Sequence, residues 1–551
     1  MSLLVAAALA IAAAVKPVPP ADLVLLSARI WTGDPARPEA QALAIKDGRI
    51  VLVGSDADVA PWKGPNTVIV EGRGRRVVPG MIDCHTHMSM GGLDLLALDL
   101  RHTKDPAEFA RMVGAYAKKQ PPGVWLTDGA WDHEQWTPPR LPTKELLDPA
   151  TGDHPTCLSR QDGHMSVCNS LALKLARVTR DTPDPPGGVI VRDASGEPTG
   201  VLKDAAMSLM DEVRPARTKA EIVAGLRAAV AHAAQNGVTS VQDLPGDPLD
   251  LPAWDEIRRS GGLTVRVNYR PTIIDWPAAR KAQSDDKQDE WLRVGGVKGF
   301  MDGALGAGTA RMFEPFSDDP GNTGVYAAQA IPLSRIEERI AGADAAGLQV
   351  EVHAIGDRAI AELLDIYARV AQKNGPKDRR FRIEHAQHLR PAEVPKFAAQ
   401  GVIASMQPYH AVDDGRWADR RLGPERRRGA YAFRWLLDAK ATVAFGSDWD
   451  VAPLSPILGI AAAVTRATID GKQPGGWVPE QKIRPEEALK AYTVTAAYAA
   501  FEEKDKGSLE VGKLGDFVVL SDDPLTVAPE KIEKIAVDET VVGGKVVFSR
   551  S

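Results

Sequence analysis

Cysteine is almost missing from this chain. Cys84, Cys157 and Cys168 are the full complement in 551 residues, and three thiols do not make a disulfide framework. An excess of positive charge is missing too. With 67 Lys and Arg against 73 Asp and Glu the net charge is -6, which argues against a nucleic-acid partner. Arg420, Arg421, Arg426, Arg427 and Arg428 form the exception, expected to be a solvated helix face. No apolar run is long enough to span a bilayer. Leu3 to Val15 comes nearest, an Ala-rich stretch followed by Lys16 and prolines. It fits the apolar region and cleavage zone of a secretory signal peptide within residues 1–21. That predicts a periplasmic or secreted protein, although no Lys or Arg precedes the run; a cytoplasmic protein is the alternative.

What is present is globular in character, with 44% hydrophobic and 25% charged residues. The length is too great for one ordinary core, so two units or one elaborated barrel are expected. The most informative stretch is Val77-Val78-Pro79-Gly80-Met81-Ile82-Asp83-Cys84-His85-Thr86-His87. Side chains two apart on a strand point the same way, so His85 and His87 can reach one metal ion. Cys84, just before them, points away and is expected to be a small core residue. Three further strand-like runs end in a metal-capable side chain: Leu348 to His353, Phe381 to His385 and Thr442 to Asp448. A lone histidine is usually a satisfied core residue, and Ser-Asp often only opens a turn. Four strands delivering such residues at the same end point instead to imidazole and carboxylate ligands of divalent ions.

Eight strand-like segments can be counted. Besides those four they are Val238 to Asp243, Leu263 to Asn268, Val294 to Gly303 around Lys298, and Gly401 to Gln407. Helical patterns at Ala220 to Asn236, Leu333 to Ala346 and Pro391 to Gln400 lie between them, and the alternation predicts an α/β fold, a (β/α)8 TIM-type barrel over about residues 80–495. Short apolar strands separated by Gly and Asp turns fill residues 22–79, and similar runs recur in 496–551. Both chain ends are expected to join into a small β-sandwich. An insertion of about residues 88–235, rich in Trp, Pro and Gly, reads as a lid over the barrel mouth.

These segments resemble the amidohydrolase superfamily, family 3, the YtcJ-like metal-dependent hydrolases, from about residue 22 onward. Further motifs carry the resemblance: Gly129-Ala130-Trp131-Asp132 with Trp136, Asp162-Gly163-His164 followed by Asn169 to Leu173, Gly187 to Ile190, Gly196 to Gly200, Val464-Thr465-Arg466 and Gly507 to Lys513. Val297-Lys298-Gly299-Phe300-Met301-Asp302-Gly303 is similar to the family's strand-four segment, where the resemblance implies a lysine carboxylated by CO2 that bridges two metals. Lys298 could instead snorkel to solvent; a buried lysine, however, loses its proton readily, and the neutral amine is the form that reacts with carbon dioxide.

The resemblance implies two divalent ions, zinc first, with His85, His87 and Asp448 on one, His353 and His385 on the other and Lys298 between. Asp448 would move the proton in a hydrolysis of a C–N bond in an amide, N-acyl or N-formyl compound. Alternatives are a deaminase acting on an aminated ring and a non-catalytic ligand-binding relative. The substrate is expected to be a small molecule, with no nucleic acid or membrane span involved and a homodimer left open. Candidate substrate contacts are His164, which the Asp-Gly-His turn presents and which is also a catalytic candidate, with Trp131, Trp136, His133, Arg311, Tyr326 and His410. His154 and His388 are expected at the surface.

Overall fold

A computed structural model describes residues 19–285 and 288–550. The leader-like run of Leu3 to Val15 lies outside the described residues. All eight expected barrel segments are strands: β1 (Met81–Thr86), β2 (Val238–Asp243), β3 (Arg266–Tyr269), β4 (Gly296–Phe300), β5 (Gln349–Ala354), β6 (Arg382–His385), β7 (Ile403–Met406) and β8 (Val443–Phe445). Every neighbouring pair that forms a ladder is parallel. The strands are Val- and Ile-rich and buried on both faces, as parallel strands covered by helices must be.

The ladder is not one uninterrupted ring. Its strands form two sheets, with β1 to β3 in one and β4 to β8 in the other. One seam runs through the fourth strand position: Leu292–Val294 pairs with β3, while β4 pairs with β5 just beyond Gly295. A Cβ at Gly295 would lie 1.8 Å from Asn268 Oδ1, so only glycine lets the chain pass β3 there. The second seam is closed by a single parallel bridge between Thr86 and Trp449. There Gly446 is required, because a Cβ would come within 2.6 Å of the His85 amide nitrogen. The α/β content and parallel sheets fit a TIM-barrel-like fold.

The connecting helices follow the sequence pattern with small shifts. Lys219–Gln235 starts at a capping box of Thr218 and Glu221 and buries Ile222, Leu226, Val230 and Ala233. Leu333–Ala345 is as expected, whereas the helix expected from Pro391 begins at Val394. Among the described residues no helix is long and apolar enough to cross a membrane.

Both chain ends meet. Phe517–Leu520 pairs antiparallel with Arg76–Pro79 inside a six-stranded sheet, and Leu23–Leu26 belongs to a four-stranded one. Leu23, Leu43, Ile45, Val77, Phe517 and Val519 share one apolar cluster across the two sheets. Arg76, buried, ties the ends together through Asp523 at 2.7 Å.

The insertion has a fold of its own. Cys157–Ser159, Met165–Cys168, Pro198–Asp204 and Gly188–Arg192 form an antiparallel sheet. Cys157 and Cys168 stand directly opposite in it and are disulfide-bonded: three thiols make no disulfide framework, but strand register, invisible in that count, makes one pair. Cys84 is free and buried, packed with Ile82 and Ala496. His154 and His388 are not at the surface but buried; the His154 ring bonds the Val124 carbonyl at 2.8 Å.

Candidate metal centre and its cavity

Strand alternation turns Asp83 and His85 away from Cys84 and into the barrel. Asp83 accepts hydrogen bonds from the Ser447 amide at 2.9 Å and the His85 amide at 3.1 Å, clamping the end of β1 to the turn after β8. In that turn Asp448 has φ 58°, and His385 and Ala386 at the end of β6 have φ 72° and 44°. Left-handed backbone at non-glycine residues costs about 1–3 kcal/mol and gathers at functional sites. Here it brings the two side chains to His85. Ligand atoms of His85, His385 and Asp448 all lie within 4.8 Å of one another, and the three residues are buried. Asp448 Oδ1 is 3.1 Å from His85 Nε2 and 3.4 Å from His87 Nε2. Burial acts to raise the Asp448 carboxyl, but His85, His87 and His385 outweigh it and hold it well below the usual carboxylate range.

Lys298 on β4 points into the same space. It is 1% exposed, and its Nζ lies 3.4 Å from His85 Nε2. Among the described residues no carboxylate is within ion-pair distance of it. Burial is the largest influence and lowers its basicity, against the pull of Glu384 and Asp448. His353 on β5 stacks edge-on to His385 with ring centroids 4.5 Å apart, but its Nε2 is directed to the Gly303 carbonyl at 3.1 Å. His164 reaches in from the lid, 5.3 Å from the His353 ring. These donors suit divalent metal: nitrogen and oxygen atoms converge, and Nδ1 of His87 and Nδ1 of His385 are buried without a hydrogen-bond partner.

Residues 68–548 match the amidohydrolase family. The chain belongs to that family. Among its relatives is the protein LONG AFTER FAR-RED 3 of Arabidopsis thaliana, 39% identical over 96% of this chain and 92% of that one. YtcJ of Bacillus subtilis, named as an amidohydrolase, is 31% identical over 93% and 96%. An N-substituted formamide deformylase of Arthrobacter pascens is 26% identical over 96% and 99%. A metal-dependent hydrolase of Pyrococcus horikoshii superposes with TM-score 0.74 at 27% identity over 92% of this chain and 99% of its own. Family, relatives and the His–Asp cluster together support a hydrolase with a divalent-metal site.

As in an amidohydrolase barrel, the cavity lies at the C-terminal strand ends. It has a volume of about 60 Å³ and is lined by His353, His385 and Asp448 from the barrel and by Arg160, Asp162 and His164 from the lid, with His410, Gln387, Asp413, Asp414 and Trp417 closing it. His410 Nε2 is 3.9 Å from Asp448 Oδ2. Burial works against a charged His164, but Asp204, whose Oδ1 is 2.6 Å from His164 Nδ1, outweighs it with help from Asp162 and Asp302, raising the imidazole to about 9. Burial pushes the Asp414 carboxyl up to about 7 even though Tyr431 donates to it at 2.6 Å.

Five expected contacts fall outside this cavity. Trp131 is fully buried among the lid's own apolar side chains, its indole N–H donating to the Leu158 carbonyl at 2.8 Å. Trp136 is likewise buried and donates to Thr103. Arg311 lies over the Tyr326 ring, 4.9 Å from its centroid, and Tyr326 donates to Glu362 at 2.8 Å. Apart from Arg311 Nε, which is buried without a partner, their polar groups are satisfied by neighbours outside the cavity. His133 is buried beside Trp131 and does not line the cavity either. Truncating Trp131 should therefore act on the fold. Trp131→Ala is expected to cost about 3–5 kcal/mol of stability through the void it leaves, with KM little changed. Thermal unfolding beside steady-state kinetics would check this, and a raised KM at unchanged unfolding temperature would return Trp131 to the pocket.

Several cavity residues carried no usable sequence signal. Arg160 is held by Asp132 at 2.8 Å, and Asp132 also meets Arg416 at 3.3 Å from the loop after β7. This lid-to-barrel ion network joins residues 284 positions apart. Glu384 could have been suspected as the neighbour of His385 in a strand otherwise buried.

Proposed function

We propose that this protein hydrolyses a C–N bond of an amide, N-acyl or N-formyl compound, with Asp448 moving the proton and His164 binding the substrate carbonyl. The convergence of buried His85, His385 and Asp448 within 4.8 Å, with His385 and Asp448 lining the cavity, carries this reading. The formamide deformylase among the relatives supports the choice of bond.

His85, His87 and Asp448 would hold one divalent ion, zinc by donor type, and His353 and His385 a second, with Lys298 carboxylated between them. Divalent metal supplies Lewis acidity for the carbonyl and lowers the pKa of water. The chain's own residues do the rest. Asp448 faces both the His85 side and His410, so it can accept a proton from the attacking water and return it to the departing nitrogen. His164, cationic at neutral pH because of Asp204, can donate to the oxygen on which charge develops. Arg160 of the lid and Trp417 after β7 exclude bulk water.

Release of amine from a panel of N-formyl and N-acyl amines, with and without a metal chelator, tests this reading. Chelator-sensitive amine release is expected. Ammonia from an aminated ring, without amine from acyl compounds, would mean a deaminase, and binding without any turnover would mean a non-catalytic relative. His164→Ala should keep its metal and lose about 2 to 4 kcal/mol in kcat/KM, as for one removed oxyanion donor. Metal analysis and kcat/KM on one substrate would check it. Unchanged kcat/KM would remove His164 from the reaction.

A further inference from the structure

His85 differs from His87 and His385 in what its second ring nitrogen does, and from His353, whose Nε2 meets the Gly303 carbonyl, in having a carboxylate there. Its Nδ1 is 2.5 Å from Glu384 Oε2, whereas Nδ1 of His87 and Nδ1 of His385 are buried with no partner. An ionised carboxylate can only accept, so the ring proton sits on Nδ1. That leaves Nε2, the ring atom turned toward Asp448 and Lys298, as the nitrogen that would bind a metal. Glu384 is itself held. Its Oε1 accepts from Arg382 Nε at 2.8 Å, the two residues standing two apart on β6 and so on the same face.

Arg382 is fully enclosed. Its Nη2 donates to the Cys84 carbonyl at 2.8 Å and to Ser405 Oγ at 2.9 Å, its Nη1 donates to Gln242 Oε1, and Nη1 lies 3.1 Å from Glu351 Oε2. Below, Arg270 Nη1 is 3.7 Å from Glu351. A charged column therefore fills the barrel interior directly under the candidate metal centre. Well-packed apolar side chains in such a place are often as stable or more so, so stability alone does not explain the column.

We propose that Glu384 and Arg382 are positioning residues for the metal centre, fixing the tautomer and ring orientation of His85, with Arg382 locking the carboxylate that does so. The proposal rests on the metal-dependent reading above. Carboxylate partners of metal-binding histidines typically change metal affinity by about 10- to 100-fold when replaced. Glu384→Gln keeps the shape and the hydrogen bond to Arg382 in part, but an amide does not enforce the ring tautomer.

The test is the apparent Kd for Zn2+ by chelator competition, the visible spectrum of the Co2+-loaded protein, and the unfolding temperature of the metal-free protein. They are read for the unaltered protein, Glu384→Gln, Arg382→Lys and Glu351→Gln. Glu384→Gln is expected to weaken Zn2+ binding about 10- to 100-fold and to shift the Co2+ spectrum, with Arg382→Lys between it and the unaltered protein. Glu351→Gln, which disturbs the same column one layer lower, should lower the unfolding temperature and leave the Kd and spectrum unchanged. Metal affinity and spectrum preserved in Glu384→Gln would overturn the proposal. So would an equal loss of affinity in Glu351→Gln, because the column would then act only through stability. Should the unaltered protein bind no metal, the functional reading fails first and this one with it; normal metal binding and C–N hydrolysis with insensitive variants overturns this one alone.

Discussion

Asp448→Asn should lower kcat by about a hundred- to ten-thousandfold, the span that a positioned general acid–base contributes, while the fold survives. The substitution keeps the side-chain volume and one oxygen toward His85 and His87, and removes only the ability to take up a proton. Asparagine tolerates the left-handed backbone that Asp448 adopts at φ 58°, so little strain is added. Among the described residues no backbone group donates to the Asp448 side chain, so the turn after β8 does not depend on it; its neighbours at bonding distance are His85 and His87. Metal content should fall only modestly, since an amide oxygen is a weaker ligand than a carboxylate but occupies the same place. Steady-state kinetics with metal analysis and circular dichroism on the same preparation would separate these effects. A near-normal kcat would move the proton transfer elsewhere, first to His410 and then to His164, which line the same cavity.

The strands were legible because each is an apolar, Val- and Ile-rich run that stops at a chemically distinctive residue, and parallel strands buried on both faces leave that imprint. Their joining into two sheets was not, since it turns on contacts at Gly295 and Gly446 that depend on neighbours far off in sequence. The strand-end residues His85, His385 and Asp448 could be named from position alone. Asp413 and Asp414 could not: they end a short helix after β7, and nothing in their surroundings sets them apart from solvated acids. Trp131 shows the opposite failure. A tryptophan in a lid has the same composition signal whether it walls a pocket or fills the lid's own core, and the Leu158 carbonyl that captures its indole N–H decides for the core. His388 was misjudged for a similar reason, because its burial comes from packing against Tyr431, supplied by a distant loop.

Lys298→Ala should strip the protein of most of its metal, and turnover should fall with it. A carbamate on Nζ would carry a negative charge and two oxygens into a space shared by imidazoles and the Asp448 carboxylate, and among the described residues no carboxylate lies within ion-pair distance of Nζ to take over that role. Burial lowers the basicity of the amine, so the reactive neutral form is accessible; its addition to CO2 forms an N–C bond and releases one proton. For the same lack of an ion-pair partner, the metal-free variant should not lose stability through a broken salt bridge. Its cost should come only from the lost methylenes, about 0.8 kcal/mol for each one buried. Elemental analysis of protein purified with bicarbonate is expected to give close to two metal equivalents for the unaltered chain and well under one for the variant. A short carboxylate such as propionate should restore part of both metal and turnover by occupying the vacated volume. Full metal and full turnover in Lys298→Ala would rule out a bridging lysine.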